Sequence, residues 1–203
     1  LISMTGVKSE TIGKSAIEFL FNKLKELDDN DIFIRKTVKD MEEPKIEYYK
    51  IVLINSDYDI GYEIKRSELH QLLVNEYEIY SSYEPCIYPG VNSKYYWNSQ
   101  YKNNSECPLK GKCYCSSLCS GKGNGNGDSD CKKVTISAFQ SGSVIITGAN
   151  SIEQILDCYN FISEVLNSHN KALRKENILN IDTNSLKKKK NQIVYIKKSN
   201  IIY

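Results

Sequence analysis

Five cysteines, Cys107, Cys113, Cys115, Cys119 and Cys131, crowd into one stretch, whereas Cys86 and Cys158 stand alone. Thiols gathered this closely can share a divalent metal, and zinc takes about four thiolates in a tetrahedron. Their spacing is not a paired Cys-x-x-Cys pattern. Two readings therefore stand side by side: a zinc site using any four of the five, or unligated thiols, with disulfides behind both. A second group is aromatic. Tyr88 precedes Pro89-Gly90, and Phe139 precedes Gln140-Ser141-Gly142. Each is a large ring beside a turn signal, available either for plain packing or for contact with a flat partner. His70 and His169 are far apart and read as surface residues. No nucleophile–base set or carboxylate pair stands out, so the expectation is a binding protein and not an enzyme. The run Gly121 to Gly127 lacks the Ser/Thr ending and strand context of a phosphate loop, and reads as a flexible low-complexity segment.

The elements that must position these groups centre on Lys132 to Leu166. Val134, Ile136, Ala138, Val144 and Ile146 are apolar at period two, as one covered sheet face requires. Thr135, Ser137, Phe139, Ile145 and Thr147 line the other face, an odd mixture for a solvated surface. Ser141-Gly142 supplies the turn. Ser151 and Gln154 fit a capping box. Behind it, Ile152, Ile155, Leu156, Tyr159, Ile162 and Leu166 recur at helical spacing and should cover the apolar sheet face.

This unit is partly repeated. Thr5-Gly6-Val7-Lys8-Ser9 aligns without gaps to Thr147-Gly148-Ala149-Asn150-Ser151, and the match continues through Phe19 on Phe161, Leu20 on Ile162 and Leu24 on Leu166. Leu1 to Thr5 should then be a strand, equivalent to Ser143 to Thr147, and the chain is expected to begin inside a first repeat. A helix should follow from about Ser9 to Leu27, with Ile12, Ala16, Phe19, Leu20, Lys23, Leu24 and Leu27 on one stripe. Residues 28–44 read as a charged connector. A second repeat occupies 45–167, with strand-like Lys45 to Asn55, a bulge at Ser56 to Asp59, and extended Ile60 to Ile64. Then come a helix at Arg66 to Glu76, extended Tyr80 to Tyr88, a turn at Pro89-Gly90 and a strand at Val91 to Trp97. An insertion occupies about 98–131, and residues 168–203 form a basic extension containing Lys187 to Lys190. The layout is α+β, an antiparallel sheet with helices on one face.

Composition bounds the class. The chain has 203 residues, 40% of them apolar and 26% charged, enough for a core and too apolar for a disordered chain. A net charge of +2 leaves no global basic field. No apolar run approaches the ~18 residues that span a membrane, so no membrane partner is expected. No secretory pattern stands at Leu1, so the expected location is intracellular. Abundant Asn, Ile, Lys and Tyr suggest an AT-rich genome.

Two segments, Tyr80-Ser81-Ser82-Tyr83-Glu84-Pro85-Cys86-Ile87-Tyr88-Pro89-Gly90 and Phe139-Gln140-Ser141-Gly142 running into Ile146-Thr147-Gly148-Ala149, resemble the C-terminal repeat of the TATA-box-binding protein family. The likeness covers roughly Lys50 to Leu166 without the insertion, plus Leu1 to Leu27. The insertion, connector and tail look like a divergent member, of the kind encoded by large DNA viruses. The resemblance implies a saddle: a curved antiparallel sheet with helices on its convex face and a concave face on the minor groove of AT-rich double-stranded DNA. Family members insert apolar side chains between base steps and kink the duplex, flexible TA steps deforming most easily.

Carried over by motif, Tyr88 and Phe139 would be the wedge pair, flanked by Ile87 and Pro89. Thr135, Ser137, Ile145 and Thr147 would lie on the groove floor, as would Ser3 and Thr5 from the first repeat. Lys94 stands where the family has an Arg near the phosphates. Glu84 falls at a stirrup position that meets the B-type general transcription factor, and the RNA polymerase machinery is the implied further partner. The implied role is transcription initiation, in the nucleus or a cytoplasmic viral factory; the alternatives are a protein-interaction module of the same fold that has lost DNA binding, or an accessory domain of a nucleic-acid enzyme. This sequence departs from the family elsewhere too: Tyr88 replaces a Phe, Leu53 replaces a base-contacting Asn, Cys86 replaces a second stirrup Glu, and Ser143 replaces a Lys. No cofactor is required, zinc in the insertion aside.

Overall fold

The structure is a computed structural model that describes residues 2–29, 48–102 and 106–175. They fall into two compact units, Leu1–Val52 and Leu53–Tyr203. Most of the expected 28–44 connector and all of the basic tail beyond residue 175, with its lysine run, lie outside the described residues.

The first unit contains one twenty-residue helix, α1 (Glu10–Asp29). Ser9 caps it, its Oγ accepting from the Ile12 amide at 3.3 Å. The expected strand before it is not formed: Ile2 to Thr5 are coil. A strand needs a neighbour for its amides and carbonyls, and the described part of this unit contains no other strand.

The second unit is built from β1 (Ile54–Asp59), α2 (Arg66–Asn75), β2 (Tyr80–Glu84), β3 (Tyr88–Trp97), β4 (Lys132–Ala138), β5 (Ser143–Ala149), α3 (Ile152–Ser168) and α4 (Asn170–Leu173). The strands form one antiparallel sheet in the order β1-β5-β4-β3-β2. Both longer helices pack on the same face, and the alternation says why. Val91, Tyr95 and Trp97 on β3, Val134, Ile136 and Ala138 on β4, and Val144 and Ile146 on β5 all point under the helices and are buried. From above they meet Leu69 and Leu73 of α2 and Ile155, Cys158, Phe161, Ile162, Val165 and Leu166 of α3. The predicted capping box is present, with modified reach. Gln154 N donates to Ser151 Oγ at 3.3 Å, while Gln154 Oε1 accepts from the Asn150 amide at 2.9 Å.

Several expected elements differ in the structure. Of the expected strand at Lys45 to Asn55, residues 45–47 lie outside the described residues and Tyr48 to Leu53 are coil; β1 is the more polar Ile54–Asp59, in which Ile54, Ser56 and Tyr58 turn inward. Its bulge lies between Ile54 and Ser56, and Ile60 to Ile64 is a loop whose Ile60 and Ile64 amides donate to Gly142 O and Gln140 O. Pro89-Gly90 is not the turn. That turn runs from Glu84 to Tyr88, closed by Ile87 N donating to Glu84 O at 2.9 Å, and Pro89 sits at the start of β3, where its missing N–H costs no ladder bond. On α3, Ile152, Leu156 and Tyr159 are exposed, because the buried stripe is centred one residue round, on Cys158, Phe161 and Val165. The Gly-rich run is also folded, as the site geometry shows. Past Ser168, α4 adds Leu173 to the core, and Ile64 and Arg174 form a bridge.

Candidate nucleic-acid interface and thiol cluster

The face of the sheet opposite the helices carries no helix of this unit, and its central side chains are half-exposed except Ser137, which is buried. Asn92, Lys94 and Tyr96 of β3, Thr135 and Ser137 of β4, and Ile145 and Thr147 of β5 share it by register: Asn92 pairs Ser137, Lys94 pairs Thr135, Thr135 pairs Thr147 and Ser137 pairs Ile145. So four of the predicted floor residues do lie side by side. Ser3 and Thr5, in the first unit, are exposed coil.

Tyr88 and Phe139 come from the ends of two neighbouring strands and converge, with ring centroids 5.7 Å apart and planes tilted by 60°. Gly90 lies beneath both. A Cβ there would stand 2.9 Å from Tyr88 Cε1 and 3.1 Å from Phe139 Cε1, so any side chain would push the pair apart. Ile87 is 80% exposed beside them and Pro89 is exposed as well. Glu84 is exposed at the base of the same turn.

An arginine outside the motif-derived site holds this arrangement. Arg66, at the start of α2, donates through Nη1 to the Pro89 carbonyl and through Nη2 to Gln140 Oε1 at 2.9 Å, with its guanidinium 5.2 Å from the Tyr83 ring centroid. One planar fork thus ties the turn bearing Tyr88 to the turn bearing Phe139. A sequence signal existed: a cation in the first turn opposes the helix dipole and calls for another use. Gln140 is held in turn by Glu63, whose carboxylate is kept below its usual range by hydrogen bonds from Lys175 and Gln140.

Lys94 is clipped within the face, Nζ donating to Asn92 Oδ1 at 2.9 Å and Thr135 Oγ1 at 3.0 Å. Burial, and then the charge of Lys133, lower its pKa. The opposite edge differs in sign: Asp57 and Asp59 of β1 point to the same open face, paired with Ile145 and Ser143, and both are exposed.

The insertion folds round the far end of β3 and β4. Its backbone extends the sheet on both edges, Tyr96 N donating to Gly111 O and Lys133 N to Gly121 O, each at 2.8 Å. Asp130 organises the glycine run by accepting from the Asn124 and Asn126 amides, which keeps its carboxylate below the usual range. Gly125, at φ +87°, lies against the Trp97 ring where a Cβ would collide. On the helix side, Lys102 pairs with Asp157 at 2.8 Å, Lys110 with Glu164 at 3.0 Å and Lys112 with Glu78 at 2.5 Å. These three lysines rim a cavity of about 220 Å³ between the insertion and α3, lined also by Tyr95, Trp97, Tyr101 and Phe161.

Four of the five clustered cysteines converge. The sulfurs of Cys113, Cys115, Cys119 and Cys131 all lie within 4.8 Å of one another, and Cys107 is not among them. Cys131 is buried and the other three are half-buried. The Ser129 amide donates to Cys115 Sγ at 3.1 Å, and Asn98 Nδ2 to Cys131 Sγ at 3.5 Å. Burial pushes the Cys113 and Cys131 thiols up. At Cys119 burial also acts upward, but hydrogen bonds from the Gly121 and Cys131 amides and from the Cys131 and Cys115 thiols outweigh it and the thiol is lowered.

The chain is similar to a TATA-box-binding protein-like protein of Acanthamoeba polyphaga mimivirus. The two are 27% identical over 210 residues, which take in 96% of this chain and 49% of the relative. The chain therefore spans about half the length of the curated relative it matches. No family model matches it. Among the described residues no helix is long and apolar enough to cross a membrane.

Proposed function

We propose that the open face binds AT-rich double-stranded DNA in the minor groove, as a TATA-box-binding-protein-like half of a saddle serving transcription initiation. The observation that carries this reading is the ring pair: Tyr88 and Phe139 meet at 5.7 Å over Gly90, at the rim of a face floored by Thr135, Ser137, Ile145 and Thr147. The minor groove offers few distinguishing polar groups, so a floor of small hydroxyls and aliphatics suits it better than a set of charged readers. The rings would act as wedges at a base step, with Ile87 and Pro89 beside them, and the Tyr88 hydroxyl needs an acceptor or water once the ring is inserted. Lys94 would steady the floor and reach phosphate only by leaving Asn92 and Thr135. The resemblance to the mimiviral relative supports DNA and the transcription machinery in general as partners; Glu84 would be the contact for a B-type factor, and the location would be the nucleus or a viral factory. The reading is of a binding protein, not an enzyme. No cofactor acts at the groove floor; a structural zinc ion in the insertion would shape the end of the face.

The test is titration of full-length protein with an AT-rich and a GC-rich duplex. Tyr88→Ala and Phe139→Ala are each expected to weaken AT-rich binding by ~10-fold or more, the scale of losing one ring–base contact. No binding to either duplex at low salt would overturn the reading. One observation favours a second reading, a protein-interaction module of the same fold. Asp57 and Asp59 place two exposed carboxylates on the open face, where phosphates would be repelled. If Asp57→Asn leaves DNA affinity unchanged, that edge lies outside the footprint.

A further inference from the structure

We infer that Cys113, Cys115, Cys119 and Cys131 form a closed zinc site whose metal clasps the insertion around the end of β3 and β4. This goes beyond the DNA reading and stands or falls without it. Four thiolates at ~2.3 Å from a tetrahedral zinc ion lie about 3.8 Å apart. Cys113 Sγ and Cys131 Sγ are 3.8 Å apart, Cys115 Sγ and Cys131 Sγ 3.3 Å, and no pair of the four exceeds 4.8 Å. The set therefore needs shifts of tenths of an ångström, not a refolding, to close on an ion. Four soft sulfurs with no carboxylate or imidazole among them select zinc, or cobalt as its surrogate, over magnesium or calcium.

The surroundings fit a structural site. Donors from Ser129 N and Asn98 Nδ2 already point at two of the sulfurs, the kind of outer contact that orients and stabilises metal-bound thiolate. All four positions are filled by protein, which leaves no open coordination position for catalysis.

The location says what the ion does. Cys131 leads directly into β4, while the other three ligands belong to the loop that precedes it. The segment between Cys119 and Cys131 carries Gly121, which closes the edge of β4 by accepting from Lys133 N, and Gly125, which covers Trp97 and accepts from Ser99 N at 2.8 Å. A loop this rich in glycine is entropically expensive to order. Tethering its two ends to Cys113 and Cys115 through one ion would offset much of that ordering cost.

The experiment uses the full chain, reduced and freed of metal. Addition of Co(II) alone is expected to produce thiolate-to-cobalt charge-transfer and visible tetrahedral d–d bands that saturate at one ion per chain, and Zn(II) should abolish them. Serine at any one of the four positions should weaken metal binding at least by the ~10–100-fold seen for losing an outer contact. Cys107→Ser and Cys86→Ser should bind as the parent does, and circular dichroism identifies any variant that fails to fold. Chelation of the parent should shift the emission of Trp97, the single tryptophan, to the red as Gly125 lifts away. Absence of the cobalt bands in the folded parent overturns the site. Bands that survive Cys131→Ser but vanish in Cys107→Ser overturn the ligand set, and an unmoved Trp97 emission overturns the clasp.

Discussion

Phe161 on α3 is 3% exposed, and its aligned counterpart on α1, Phe19, is 65% exposed. Ile162 and Leu20 repeat the contrast at 1% and 44%. The two helices share a spacing of apolar residues and a serine cap with the same 3.3 Å bond to the third helical amide. They differ in what stands beneath them. Under α3 lie β4, β5 and the inward side chains of β1; the described part of the first unit has no strand at all. An amphipathic stripe is an offer of burial, and a partner surface is what turns it into stability. Two further differences follow the same line. Cys158, fully buried, stands against exposed Ala16, and Gln154, whose amide closes the cap, stands against exposed Ile12.

The contrast can be broken experimentally. The largest expected difference is between Phe161→Ala, which should lower stability by ~3–5 kcal/mol, and Phe19→Ala, which should stay within ~0.5 kcal/mol. Urea unfolding followed by Trp97 emission measures the second unit, and far-UV circular dichroism sees both helices. Equal losses from the two substitutions would mean that the α1 stripe is covered in solution. Next in size, Cys158→Ser puts a hydroxyl into the core and should cost ~1–3 kcal/mol, while Ala16→Ser should leave the Trp97 transition where it was. Burial already holds the Cys158 thiol above its usual range, in keeping with an apolar setting. The smallest difference concerns the caps. Ser151→Ala should cost ~1 kcal/mol, and Ser9→Ala less, because the Ser9 bond is exposed to water whereas the Ser151 bond is half-buried. A Ser9→Ala effect as large as that of Ser151→Ala would show that half-burial adds nothing to the cap.

The two faces of β4 and β5 were legible because period two is a local property: Val134, Ile136, Ala138, Val144 and Ile146 are buried, and Thr135, Ser137, Ile145 and Thr147 lie opposite. The ring pair was legible through its motifs, but its 5.7 Å convergence was not. Arg66 was missed because its partners, Pro89 and Gln140, are remote in sequence. The glycine run was misread as flexible because its order comes from Asp130 and Trp97, neither of which belongs to it. The α3 stripe was placed one residue out of phase at Ile152, Leu156 and Tyr159, since hydropathy alone does not say that Gln154 and Cys158 face a core.

By itself the sequence determined the α+β layout of the second unit, the faces of its hairpin, the caps and the repeated helix, all of which depend on periodicity and on neighbours within a few residues. Tertiary structure alone decided that Cys107 stays out of the thiol cluster, that Arg66 links the two turns, that Asp57 and Asp59 share the open face with Lys94, and that only one of two matching helices is buried. The physical reason is the same in each case. Strand register and helix docking set which distant side chains meet, and no local pattern carries that information.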